Sequence, residues 1–134
     1  MGRYRILIVD DETDFREIIM KQLTTRDIEC EEAADGLAAI DKVKNGDFDV
    51  VLLDVKMPKM DGVATLQVIK KLAPMTEVIM LTGHASVESG INGVKFGAFD
   101  YLMKPIDLEA ILDKLNAAHE HKRIQQGKIE MARS

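Results

Sequence analysis

"FDVVLLDVKMPKMDG", residues 48–62, joins an apolar strand to a carboxylate and then to a turn. Phe48 to Leu53 is mostly apolar and β-branched, which suits a strand buried on both faces. Asp54 follows at once, and Met57-Pro58 and Asp61-Gly62 then break the pattern as a turn does. An acid ending an apolar core strand needs a reason, and the other segments of the chain supply it.

Similar apolar runs occur at Arg5–Val9 (RILIV), Val78–Leu81 (VIML) and Tyr101–Met103 (YLM). A fifth, Ile28–Ala33 (IECEEA), is polar enough to be an edge strand. Between them the spacing is helical. Phe15, Ile18, Ile19 and Leu23 share a face, as do Leu37, Ile40 and Val43, then Val63, Leu66 and Ile69. Leu108, Ile111, Leu112 and Leu115 form the clearest stripe, with Asp107 placed to cap that helix. Strand and helix alternate five times, so the fold class is α/β, a flavodoxin-like doubly wound (βα)5 fold. Its five-stranded parallel sheet has order 2-1-3-4-5. Ligands in that architecture sit outside the carboxyl ends of the strands.

The 134 residues suit a single domain, which we place at residues 1–120. Residues 121–134 form a C-terminal extension, the end of the last helix or a linker, expected to fray near Gly127. Trp is absent and aromatics are 4%, so the core is expected to be Val, Ile, Leu and Met. A net charge of −5 argues against nucleic-acid binding by this chain, which needs a basic face. Cys30 has no partner for an internal disulfide and reads as a small strand residue in a reducing compartment. The N-terminal apolar run Ile6–Val9 is too short for a signal peptide or a membrane span, so the expected location is cytoplasmic, with no membrane partner.

The residues at the predicted carboxyl ends are Asp10-Asp11-Glu12, Asp54, Thr82-Gly83 and Lys104-Pro105. Three carboxylates this close cannot all stay ionised without a counter-charge. Mg²⁺ suits them, since it favours one or two carboxylates plus waters and phosphate oxygens. Lys104 adds a point charge suited to phosphate, and Thr82 a hydroxyl donor. Such a set fits phosphoryl transfer, which depends mostly on positioning and charge neutralisation. Asp54 is placed to be the nucleophile itself.

The segments "ILIVDDE" (6–12), "DVVLLDVKMPKMDG" (49–62), "VIMLTGH" (78–84) and "GAFDYLMKP" (97–105) together resemble the receiver domain of two-component response regulators, the CheY-like superfamily, from about Arg5 to Ala118. The resemblance implies a phosphorelay switch that takes a phosphoryl group on Asp54 from a sensor histidine kinase or a histidine phosphotransfer protein. It implies a Mg²⁺ site, with Mn²⁺ as a substitute, made by Asp11 and Asp54 directly, Asp10 mostly through water, and the backbone carbonyl of Lys56. Thr82 would be the switch hydroxyl, Lys104 the phosphoryl partner, Tyr101 the aromatic that swings inward, and the bond before Pro105 a cis peptide. Output would be read on the face of the fourth helix, fifth strand and fifth helix, by an output domain or partner protein. Transcription regulation and a phosphorylation-dependent homodimer are among the outcomes the family implies. On this reading the chain is not an enzyme beyond its own phosphorylation and dephosphorylation. Lys56 and His84, two residues beyond Asp54 and Thr82, flank the path of an attacking water and are expected to tune phosphoryl lifetime; Gly83 leaves room for a kinase histidine.

Each residue also has a plainer reading. Asp10 and Asp11 alone would be helix-capping acids, Thr82-Gly83 and Asp61-Gly62 turns, and Tyr101 a half-buried core residue. Met57, Met60 and Met103 read as packing, and His84, His119 and His121 lack the company a zinc site needs. Among other functions, an aspartyl-phosphate hydrolase wants a second Asp where Lys56 stands. A flavodoxin wants a glycine- and hydroxyl-rich loop where Asp10 to Asp14 is acidic. A degenerate receiver acting only as an interaction module conflicts with the set Asp10, Asp11, Asp54, Thr82 and Lys104.

Overall fold

A computed structural model of the chain describes residues 4–57, 60–83 and 87–133. Strands and helices alternate in the order β1 (Arg5–Val9), α1 (Thr13–Thr24), β2 (Glu29–Ala33), α2 (Gly36–Asn45), β3 (Val50–Asp54), α3 (Gly62–Leu72), β4 (Glu77–Thr82), α4 (Val87–Lys95), β5 (Asp100–Met103) and α5 (Leu108–Arg133). All pairings are parallel and the order is β2-β1-β3-β4-β5, as the alternating pattern predicts.

Side chains alternate along each strand, so each apolar run feeds two cores. Ile6, Ile8, Val50, Leu52, Ile79 and Leu81 meet Ile19 and Leu23 of α1 and Ile111 and Leu115 of α5. Leu7, Val9, Val51, Leu53, Val78 and Met80 meet Ala39, Val43, Leu66 and Ile69 on the other face. The central strands β3 and β4 are buried along their whole length. The polar run at β2 is an edge strand, with Glu29 exposed and Cys30, Glu31 and Glu32 half-buried. Burial pushes the Cys30 thiol up to about 11, which leaves it protonated and inert.

Two local expectations change. Asp61-Gly62 is a helix start rather than a free turn: the Asp61 carboxylate caps α3 by accepting from Ala64 N–H at 2.8 Å. The final helix does not fray near Gly127 but runs on to Arg133. Its lower half is tied to the amino ends of the strands. Lys122 Nζ donates to Asp49 Oδ1 at 2.8 Å, His121 Nδ1 contacts buried Glu77, and His119 stacks on Tyr4. One glycine costs a helix only about 1 kcal/mol, and Gln, Lys and Ile surround it.

Candidate functional site

The carboxyl ends of β1, β3, β4 and β5 lie at one edge of the sheet, and the residues at or just past them, Asp10, Asp54, Thr82 and Lys104, are polar because the apolar ladder stops there. Asp10 directly follows β1 and is fully buried. Its N–H still joins the sheet, donating to the Ala33 carbonyl at 3.2 Å. Asp54 is the last residue of β3, paired with Leu81 of β4, so the acid belongs to the strand rather than to the loop. It lies on the sheet face of Val50 and Leu52, the side covered by α1 and α5. Asp11 is exposed in the β1–α1 turn.

Carboxylate oxygens of Asp10, Asp11 and Asp54 all fall within 4.8 Å of one another. Lys104 reaches into this group from the segment after β5. Its Nζ lies 2.6 Å from Asp10 Oδ2, 2.9 Å from Glu12 Oε1 and 3.9 Å from Asp54 Oδ2, and sits 4.5 Å from the Phe15 ring centroid. The Lys104 backbone is pinned as well, its N–H donating to the Thr82 carbonyl at 2.6 Å, and the Lys104-Pro105 peptide is cis.

The electrostatics follow from that packing. Desolvation, then repulsion from Asp10, pushes the Asp54 carboxyl up to about 7; the Lys104 charge and a 3.3 Å bond from Lys56 N–H pull the other way, and Asp11 adds repulsion. Burial alone would depress the Lys104 ammonium. Its hydrogen bonds to Asp10 and Glu12, with the charges of Asp10 and Asp54, outweigh burial and hold it above its ordinary value. Three acids around one lysine remain short of positive charge. The donor set is all hard oxygen, which fits a divalent cation of the Mg²⁺ type.

Thr82 ends β4 fully buried, and its Oγ1 makes no hydrogen bond among the described residues. A buried hydroxyl without a partner is costly, so it is poised for an acceptor that arrives later. Tyr101, half-buried, pairs with Met80 in the sheet and packs against the core cluster that holds Met80, on the face Thr82 shares by alternation. Among the described residues, Gly83 has open space where a side chain would stand. A cleft of about 450 Å³ opens beside the acids, lined by Asp11, Lys56, Met57, Asp61, Val63 and Ser89. The Lys56 side chain is exposed at its rim. His84 and Pro58 lie outside the described residues.

Four further residues serve the site without a role assigned from sequence, although Glu12 was among those placed at the carboxyl ends. Glu12, rather than Asp10 or Asp11, occupies the N-cap position of α1 and makes no side-chain cap bond, because its carboxylate is committed to Lys104. Phe15 supplies the apolar wall under that ammonium. Arg16 donates to the Asp10 carbonyl oxygen at 2.6 Å. At Gly62 a Cβ would lie 2.5 Å from the Asp54 carbonyl oxygen, so only glycine lets α3 start so close to the peptide of Asp54. An acid next to an acid pair and an arginine on an amphipathic helix carry no distinctive signal in sequence. A glycine after an N-cap aspartate does hint at close approach.

The profile of the response regulator receiver domain family matches residues 6–116. The chain is 41% identical over 119 residues to the transcriptional regulatory protein ZraR of Escherichia coli K12, covering 87% of this chain and 27% of that protein. It is 35% identical over 119 residues to the DNA-binding transcriptional regulator NtrC of Klebsiella pneumoniae, covering 89% and 25%. The chain thus spans about a quarter of the length of the curated relatives it matches. Among solved structures, a CheY-like receiver domain protein from Methanospirillum hungatei superimposes with a TM-score of 0.88 at 33% identity, covering 92% of this chain and 99% of that one. Among the described residues no helix is long and apolar enough to cross a membrane. With five parallel strands in the order 2-1-3-4-5 and an acid cluster at their carboxyl ends, the chain belongs to the response regulator receiver domain family and is a phosphorylation-controlled signalling switch.

Proposed function

We propose that Asp54 accepts the phosphoryl group, from a sensor histidine kinase or a histidine phosphotransfer protein. The observation that carries this is the position of its carboxylate: at the end of a buried strand and within reach of Asp10, Asp11 and Lys104. In the transfer an Asp54 oxygen attacks phosphorus, the O–P bond forms, the P–N bond of the phosphohistidine breaks, and the leaving imidazole is protonated from solvent. Asp10, Asp11, Asp54 and the Lys56 carbonyl would hold Mg²⁺, or Mn²⁺ in its place. The ion supplies neutralisation of the charge that gathers on the phosphoryl oxygens.

Lys104 is already charged and adjacent, so it pairs with a phosphoryl oxygen by a small shift away from Glu12. Thr82 donates its hydroxyl to another, and Tyr101 follows into the space Thr82 leaves. The changed surface is that of α4, β5 and α5, where Ile91, Val94, Phe96 and Met103 are exposed. Lys56 and His84 tune how long the phosphoryl group lasts. The relatives, a transcriptional regulatory protein and a DNA-binding transcriptional regulator, support an output in transcription regulation, exerted by an output domain or partner protein, with dimerisation on phosphorylation. We place the receiver at residues 1–120, its extension at 121–134, and the protein in the cytoplasm.

Incubation with a small phosphodonor and Mg²⁺, followed by intact mass, tests the reading. A gain of one phosphoryl group in the wild type that is lost in Asp54→Ala supports it. No gain with any donor or kinase refutes it.

A further inference from the structure

The β1–α1 turn carries two of the acids proposed to hold Mg²⁺, so whatever fixes that turn governs the quality of the metal site. Asp10 is gripped by its carboxylate, which takes Lys104 Nζ on one oxygen and Glu12 N–H, at 2.9 Å, on the other. Asp11 is exposed, so its direction has to come from the backbone.

Arg16, one turn into α1, acts on that backbone. Its Nη1 donates to the Asp10 carbonyl oxygen at 2.6 Å and its Nε donates to Glu32 Oε1 at 2.7 Å, with the side chain only 12% exposed. In a parallel ladder the Asp10 N–H and carbonyl both face β2. The N–H finds Ala33, but β2 ends there, so no further strand residue follows to serve the carbonyl. The guanidinium takes that place. The Asp10 carbonyl shares one planar peptide unit with the Asp11 N–H, so holding the oxygen sets the plane from which Asp11 projects.

We infer that Arg16 is a positioning residue for the cation, acting through the Asp10-Asp11 peptide and itself aimed by Glu32. The inference rests on the reading of Asp10, Asp11 and Asp54 as a Mg²⁺ site. A planar fork can span a carbonyl and a carboxylate at once, which the point charge of a lysine ammonium does less well.

Calorimetric titration of Mg²⁺ into wild type, Arg16→Gln, Arg16→Lys and Glu32→Gln tests it, with thermal midpoints taken in EDTA and at a fixed sub-saturating Mg²⁺ concentration. Loss of an outer-sphere orienting group typically weakens metal affinity 10- to 100-fold, and about tenfold is expected for Arg16→Gln, with less for Glu32→Gln and Arg16→Lys. The Mg²⁺-induced rise in midpoint should shrink in the same order, since it measures binding to the folded state. A merely structural tie between α1 and β2 would lower both midpoints equally and leave the affinity unchanged. Equal affinity in wild type, Arg16→Lys and Glu32→Gln, together with Arg16→Gln where it folds, overturns the inference and leaves the metal site standing. No Mg²⁺ binding by the wild type overturns the metal-site reading, and the inference with it.

Discussion

Lys104 Nζ lies 2.6 Å from Asp10 Oδ2 but 3.9 Å from Asp54 Oδ2, so the ammonium leans on the acid that is fully buried. Removing it strands Asp10 beside two other carboxylates. Lys104→Met should therefore cost about 2–4 kcal/mol in EDTA, as loss of one partner of a buried ion pair does. Part of that loss should return on adding Mg²⁺. Urea midpoints under the two conditions are the measurement, and a neutral substitution in EDTA would contradict the arrangement.

Asp54 gives the metal-free protein a pH dependence of definite sign. Its carboxyl is raised from 3.8 to about 7, chiefly by desolvation and by Asp10, so the folded state binds this proton more tightly than the unfolded chain. The contribution is fully present below pH 3.8 and is lost as pH rises through about 7. Asp54→Asn lacks it. In EDTA, the variant should gain on wild type between pH 5 and pH 8 by an amount of order 1–2 kcal/mol after solvent screening. Parallel stability curves across that range would count against the burial described.

Thr82→Val replaces a hydroxyl with no partner among the described residues by a methyl of similar shape. The unphosphorylated protein should be unchanged or up to about 1 kcal/mol more stable, because no hydrogen bond is lost. Phosphorylation should still occur at Asp54, but amide shifts in β5, around Tyr101, should no longer follow it. A variant that is clearly destabilised would mean that the hydroxyl has a partner in the resting state.

Gly62→Ala would put a methyl 2.5 Å from the Asp54 carbonyl oxygen and 2.7 Å from Val55 Cα, both rigid backbone. The start of α3 must then back away, at about 1–3 kcal/mol. Because the displaced segment is the one that follows Asp54, the phosphorylation rate should fall with stability, whereas Gly127→Ala, with open space around it, should leave both nearly unchanged or slightly improved. Thermal unfolding and the rate of mass gain distinguish the two.

The parts of the molecule that were legible in sequence are those where one residue type does one thing. Val50 to Leu53 and Val78 to Leu81 could be read as strands because burial on both faces leaves no polar alternation. Asp54 stood out because an acid interrupts such a run. Arg16 and Phe15 were not legible, since an amphipathic helix has charged and aromatic positions anyway; Glu12 was placed at the strand end, but only the fold shows that its partner is Lys104. Fraying near Gly127 was the expectation that changed: the helix runs on to Arg133, and His121 and Lys122, just before Gly127, meet partners 44 and 73 residues away, Glu77 and Asp49, that sequence spacing does not reveal.

Those partners yield one more measurable expectation. Asp49 is held below its ordinary range although burial opposes this, by hydrogen bonds from Lys122 and from Arg5 N–H and by the charge of Lys122. Lys122→Met leaves that acid half-satisfied and unties the helix. Amide exchange across residues 119–133 should speed up at least several-fold while residues 108–116 stay protected. Uniform protection would place the anchoring elsewhere.

The strand β4 has both ends committed, and the consequence is one of length. Thr82 closes it in the acid pocket, and Glu77 opens it at the opposite pole, where it meets His121. Five residue steps separate them, roughly 16 Å, along a strand hydrogen-bonded on both sides to β3 and β5. Such a strand does not stretch. It is a ruler laid through the middle of the domain, with the buried Thr82 hydroxyl at one end. At the other end is the mark from which the last turns of α5 take their bearing.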